Sequence, residues 1–157
     1  MACPLAGQRS VVALCGMGGM GKTQLSIQLV RRSAGTYSSV YWLNAMDENT
    51  LKAGLAKLAA DVTETSASST LTDIYEEERL VQQARQWLSQ RDNDKWLVVY
   101  DNYDDPRLPG INSSTGYDIR DYFPSREHGP ILITTRSPQL RFAKQLRLKK
   151  FEDIIQS

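Results

Sequence analysis

The residues most able to do chemistry lie close to the N-terminus, in the run Gly16-Met17-Gly18-Gly19-Met20-Gly21-Lys22-Thr23. Its spacing, G-x-x-x-x-G-K-[ST], is that of the phosphate-binding P-loop, or Walker A motif. Glycines let the backbone curl until successive amide N–H groups point into one concavity, which a phosphate chain fills. A helix opening at Lys22 adds the positive end of its dipole. Lys22 can reach the β- and γ-phosphates, the Thr23 hydroxyl can ligate Mg²⁺, and Gln24 extends the set along the helix. A glycine-rich turn without a ligand is the plainer reading. The context favours the phosphate site, because an apolar run precedes the motif and a helical pattern follows it.

Two further positions belong to the same chemistry. Asp101 ends the apolar run Trp96 to Tyr100, WLVVY. A carboxylate at the C-terminal end of a buried strand lies beside the phosphate crevice of an open α/β sheet. Asp101 is therefore the expected Walker B ligand for Mg²⁺, direct or through water; it also suits the start of a turn, since Asp101-Asn102-Tyr103-Asp104-Asp105-Pro106 is rich in turn formers. Arg136 ends the run Ile131 to Arg136, ILITTR, where a cation can contact a γ-phosphate and tell ATP from ADP, or simply close an exposed strand end. The single histidine, His128, reads as a surface loop residue rather than a base, and Trp42, Trp87 and Trp96 read as core.

These residues need a scaffold of alternating elements. Ser10 to Cys15, Val40 to Leu43, Trp96 to Tyr100 and Ile131 to Thr134 are short apolar runs of the kind buried on both faces of a sheet, with a weaker fifth at Leu146 to Leu148. Between them lie helical patterns. Thr23 to Arg32 carries Leu25, Leu29 and Val30 on one face; Asn49 to Val62 carries Leu51, Leu55, Leu58 and Val62; Glu76 to Gln90 carries Leu80, Ala84, Trp87 and Leu88. Arg31 and Arg32 suit the negative end of the first helix. Strands alternating with helices predict an α/β fold with a parallel sheet. Thr63 to Thr72, rich in Ser, Thr and Ala, is the one loose stretch.

Composition sets the remaining bounds. The 157 residues are the size of one domain, and 41% hydrophobic against 24% charged residues supports a packed core. Lys and Arg total 19 against 18 acidic residues, a balance unlike that of a nucleic-acid-binding domain. Cys3 and Cys15 fit neither a zinc cluster nor a disulfide framework, and Cys15 reads as a buried thiol. With no signal-peptide core and no apolar run near the ~20 residues needed to cross a bilayer, a soluble cytoplasmic domain without membrane contact is expected.

Taken in order, GMGGMGKT, VYWLNA at Val40 to Ala45, WLVVYDN at Trp96 to Asn102 and ILITTR resemble the NB-ARC domain of STAND-class NTPases, the nucleotide switch of NOD-like immune receptors. The resemblance is strongest to fungal members, with their Trp-bearing second strand and Asp-Asn-x-Asp-Asp Walker B, and it spans about residues 9 to 151. It implies a three-layer P-loop NTPase sandwich with a five-stranded parallel sheet in the order 5-1-4-3-2, and Arg136 in the sensor-1 role. It also implies an adenine-nucleotide switch that holds ADP at rest, takes ATP on activation and oligomerises in the full-length protein. The chain then corresponds to a single nucleotide-binding domain, residues 1 to 157, truncated at both ends. The family's adenine-contacting upstream segment and its downstream helical and winged-helix domains lie outside these residues.

One departure concerns catalysis. Many members place a second acidic residue after the first Walker B aspartate to activate the attacking water. Here that place holds Asn102, which cannot accept a proton at neutral pH. Slow or absent hydrolysis is expected unless Asp104 or Asp105 supplies the base. The alternatives are a turnover ATPase of AAA+ type or a small P-loop kinase, although Arg141 and Arg147 are thin material for a kinase lid. No N-K-x-D motif supports a GTPase. Lys22→Ala tests the core of this reading. ADP with Mg²⁺ at ~100 times its dissociation constant is expected to stabilise the wild-type domain by ~2.7 kcal/mol and the variant far less. Equal thermal shifts in the two proteins rule the P-loop assignment out.

Overall fold

The computed structural model describes residues 9–63, 74–108, 110 and 115–149. In chain order the elements are β1 (Ser10–Cys15), α1 (Lys22–Arg32), β2 (Ser39–Asn44), α2 (Glu48–Thr63), α3 (Ile74–Leu88), β3 (Trp96–Asp101), a 3-10 turn (Ile119–Tyr122), β4 (Pro130–Thr135) and β5 (Lys144–Arg147). All strand pairings are parallel, and the sheet order is β2-β3-β4-β1-β5, the 5-1-4-3-2 order read from the other edge. The loose stretch predicted at Thr63 to Thr72 falls, beyond Thr63, outside the described residues, as do Cys3 and the chain end after Lys149.

Alternation along the strands divides the core into two layers. On β3, Leu97 and Val99 join Leu14 and Leu132, with Leu29 and Val30 of α1 packed against them. Trp96, Val98 and Tyr100 face the other way, into a larger cluster with Leu51, Leu55 and Leu58 of α2 and Leu80, Ala84 and Leu88 of α3. The sheet is thus covered by α1 on one face and by α2 and α3 on the other. β3 is buried along its whole length, which is why its sequence is one unbroken apolar run ending in Asp101.

Three expectations change. Leu25 does not share the buried face of α1; it is 37% exposed, while Ser26 is fully buried. The helix faces the sheet with the small Ser26 one turn in, and the Ser26 hydroxyl is satisfied by the Lys22 carbonyl at 3.0 Å. Trp42 is not core: β2 is an edge strand, and the indole lies 38% exposed on the α1 side. Trp96 is fully buried as expected, and Trp87 is half-buried at the edge of the larger cluster. His128 is buried rather than superficial, its ring centroid 5.7 Å from that of Trp96. It sits before β4, at the end of the sheet opposite the P-loop, so it has no part in phosphate chemistry.

The segment from Tyr103 to Phe123 is irregular, yet aromatic side chains knit it to the sheet. The Tyr103 hydroxyl donates to the Tyr117 carbonyl at 2.6 Å, and the Tyr117 hydroxyl donates to the Ala45 carbonyl at 2.7 Å. The Tyr100 hydroxyl reaches the Tyr122 carbonyl at 3.1 Å, and the Tyr122 hydroxyl reaches Glu48 at the start of α2. Burial disfavours the phenolate, pushing Tyr103 up to about 12 and raising Tyr100, Tyr117 and Tyr122 as well. A folded-state pKa raised above the unfolded value of ~10 gives stability that is complete below that pH and lost as pH climbs through the folded value. Absorbance titration at 295 nm, followed beside circular dichroism, is therefore expected to show these phenols ionising only as the fold opens above pH ~10. Full ionisation of all seven tyrosines with native dichroism retained at pH ~11 contradicts this.

Candidate functional site

The phosphate loop is made by backbone conformations that side chains resist. Gly19 and Gly21 both have φ +77°, in the left-handed region. Gly21 caps α1, receives the Leu25 amide at 2.8 Å and supplies no side-chain cap. The first-turn amides of α1 therefore face outward without a side-chain acceptor, at the positive end of the helix dipole. The Lys22 ammonium spans the loop, donating to the carbonyls of Gly16 at 2.7 Å and Met17 at 2.9 Å. Gly18 lies open on the loop, Met17 is 65% exposed, and the Met20 sulfur turns back to the Met17 amide at 3.1 Å. Gln24 is exposed on the first turn of α1.

Asp101 is where the loop meets the sheet. The register that sends Leu97 and Val99 toward α1 sends Asp101 the same way, and its side chain is buried against Thr23. The Thr23 hydroxyl lies 3.1 Å from Oδ1 and 3.3 Å from Oδ2. Thr134 of β4 donates its hydroxyl to Oδ1, and the Trp42 indole N–H approaches Oδ2 at 3.4 Å. Four elements, α1, β2, β3 and β4, thus converge on one carboxylate. The Thr23 hydroxyl and the Asp101 carboxylate, in hydrogen-bonded contact at 3.1 Å, are adjacent hard oxygen donors of the kind Mg²⁺ takes, so these two residues would hold the ion. No cluster of three His, Cys, Asp or Glu side chains occurs among the described residues. Such a two-oxygen site suits an ion that keeps waters and substrate phosphates as its other ligands.

Beyond the sheet, β3 and β4 continue as a residue-by-residue zipper. The Asn102 amide donates to Thr134 Oγ1 at 2.9 Å and the Tyr103 amide to the Thr134 carbonyl at 2.9 Å. Thr135 returns its hydroxyl to the Tyr103 carbonyl. The Arg136 amide then donates to Asp104 Oδ1 at 2.7 Å, and its Nε to Oδ2 at 2.9 Å. Arg136 does stand at the edge expected of it, with its side chain 62% exposed and paired with Asp104. Asn102 has φ +66°, a backbone state that Asn and Asp tolerate better than most residues, and it is exposed next to the site. Of the alternative bases, Asp104 is engaged by Arg136 and Asp105 accepts from Thr115 at 2.6 Å.

Two site residues escaped the sequence reading. Thr134 carried one legible signal, a hydroxyl inside an otherwise apolar strand. Trp42 carried none, because only the pairing of β2 with β3 brings it beside Asp101.

A glycine loop at the head of a parallel α/β sheet, with a carboxylate at the end of the next strand but one, defines a P-loop NTPase domain. The sequence pattern of the NB-ARC domain matches residues 5–153, and the chain belongs to that family. It is 26% identical over 134 residues to a nucleotide-binding leucine-rich repeat (NLR)-like protein of the fungus Hyaloscypha variabilis, covering 80% of this chain and 13% of the relative. The chain thus spans about an eighth of that relative's length. Among solved structures, the N-terminal domain of zonular occludens toxin from Neisseria meningitidis shares the fold with a TM-score of 0.51 at 13% identity, over 92% of this chain and 79% of that one. No helix among the described residues is long and apolar enough to cross a membrane.

Thr134→Val tests the convergence on Asp101. It deletes the donor to the carboxylate and the acceptor for the Asn102 amide while keeping the strand's shape. The buried Asp101 carboxylate loses one of its donors and the Asn102 amide loses its acceptor, so a stability loss of ~1–3 kcal/mol is expected in urea titration. Mg²⁺-dependent nucleotide binding is expected to weaken beyond that loss. Unchanged stability and unchanged magnesium dependence contradict the geometry.

Proposed function

We propose that this domain is the adenine-nucleotide switch of a larger NLR-type protein, holding ADP or ATP with Mg²⁺ and hydrolysing ATP slowly. The observation that carries this is the Thr23–Asp101 pair, two oxygens 3.1 Å apart at the mouth of the glycine loop. Bound Mg²⁺ would neutralise phosphate charge there, held by Thr23 and Asp101. Residues Gly16 to Thr23 cradle the phosphates through backbone amides, Lys22 adds a cation, and Gln24 lies along the same turn. Arg136 is assigned the contact that distinguishes a third phosphate.

Slow hydrolysis follows from the want of a base. Asn102 occupies the position after the metal-binding aspartate, and Asp104 and Asp105 already accept hydrogen bonds from neighbours. The family and the NLR-like relative support a switch whose output depends on further domains and on oligomerisation of the whole protein.

The test pairs nucleotide extraction from purified protein with single-turnover ATP hydrolysis in Asn102→Asp. Aspartate tolerates the left-handed backbone at 102, so the variant is expected to fold. Co-purified ADP with negligible wild-type turnover is expected. A well-placed general base contributes ~10²–10⁴-fold, so a measurable rise in hydrolysis with ADP affinity nearly unchanged is the expected outcome for the variant. Asp101→Asn is expected instead to weaken magnesium-dependent binding. Rapid multiple turnover by the wild type would identify a turnover ATPase and overturn the switch.

A further inference from the structure

The contacts of Arg136 divide its functional groups unequally. Its backbone amide and its Nε both bond to Asp104, at 2.7 and 2.9 Å. Its two terminal amino groups make no hydrogen bond among the described residues, and the side chain is 62% exposed. A guanidinium is a planar fork, so fixing the backbone and Nε through one carboxylate fixes the plane while leaving the outer prongs presented. Asp104 is itself the last tooth of the zipper that begins at Asp101. Asn102, Tyr103 and Asp104 bond in turn to Thr134, the Thr134 and Thr135 backbone or hydroxyls, and Arg136. The zipper holds the aspartate at the strand end and the arginine in one rigid unit.

We propose that Asp104 is the positioning residue for Arg136, orienting its terminal amino groups toward the third phosphate and so setting the preference of the site for ATP over ADP. This rests on the sensor assignment of Arg136 made above. A flexible arginine at an exposed strand end would lose side-chain entropy on each phosphate contact. Asp104 removes much of that loss beforehand, and it does so at Nε, where it does not compete with a phosphate for the prongs. The carboxylate also lowers the net charge near Arg136, so its contribution is one of geometry rather than of added attraction.

Calorimetry of ADP and of a non-hydrolysable ATP analogue, each with Mg²⁺, tests this on wild type, Arg136→Ala, Asp104→Asn, Asp104→Glu and the double variant Asp104→Asn/Arg136→Ala. Asp104→Asn keeps an acceptor for the Arg136 amide, so the backbone zipper survives while the pairing at Nε is lost; thermal unfolding checks this. Asp104→Asn is expected to weaken the ATP analogue about tenfold more than ADP, in the range of coupled neighbours, and to have no selective effect once Arg136 is alanine. Asp104→Glu, with a carboxylate on a longer arm, is expected to recover part of the preference. If Arg136→Ala lowers both ligands equally, the sensor assignment fails and this proposal with it. If Arg136→Ala is selective but Asp104→Asn is not, or tightens the analogue, or acts equally in the alanine background, Arg136 senses the phosphate without Asp104 and only this proposal is overturned.

Discussion

The whole site depends on a carboxylate held at the end of a strand that is otherwise sealed from water. Asp101 is buried, and a buried carboxylate without partners is costly. It is accommodated by donors that reach it from other elements: the hydroxyls of Thr23 and Thr134 and the indole of Trp42. Its own carbonyl receives the Ala45 amide at 2.7 Å, tying β2 to the same point. The relative placement of loop, helix and three strands is thereby fixed around one residue.

Sheet order explains why those donors come from where they do. β4 lies between β1, which leads into the phosphate loop, and β3, which ends in Asp101. The crevice between loop and carboxylate is therefore floored by the C-terminal end of β4. Thr134 and Arg136 occupy that end, the first on the face of α1 and the second beyond the sheet. Past the last ladder bonds, hydroxyls and the Asp104 carboxylate replace backbone partners, so the strand ends stay registered where an ordinary loop would diverge.

The far face does different work. Its aromatic cluster ties the irregular segment after Tyr103 to α2 and to the turn after β2 through phenol hydroxyls. Tyr103 belongs to both systems. Its amide is in the zipper and its ring is in the cluster, so the position of Asp104, one residue on, is set from two sides.

The sequence by itself determined the glycine loop, the alternating elements and the candidate residues Thr23 and Asp101, because each rests on a local pattern. A glycine spacing, an apolar run and a carboxylate at its end are all readable within about ten residues. Helix and strand extents followed to within about two residues, with α3 at Ile74–Leu88 rather than Glu76 to Gln90 and β5 at Lys144–Arg147 rather than Leu146 to Leu148, because element ends depend on pairing with neighbours. Tertiary structure alone decided the rest. Trp42 became exposed because β2 is an edge strand, Leu25 because α1 touches the sheet at Ser26, and His128 became buried because its loop folds onto Trp96. Asp104 looked like one acidic turn former among several, and only the β3–β4 pairing set it against Arg136, 32 residues away. Each of these depends on which strand lies beside which, and no local pattern encodes that adjacency.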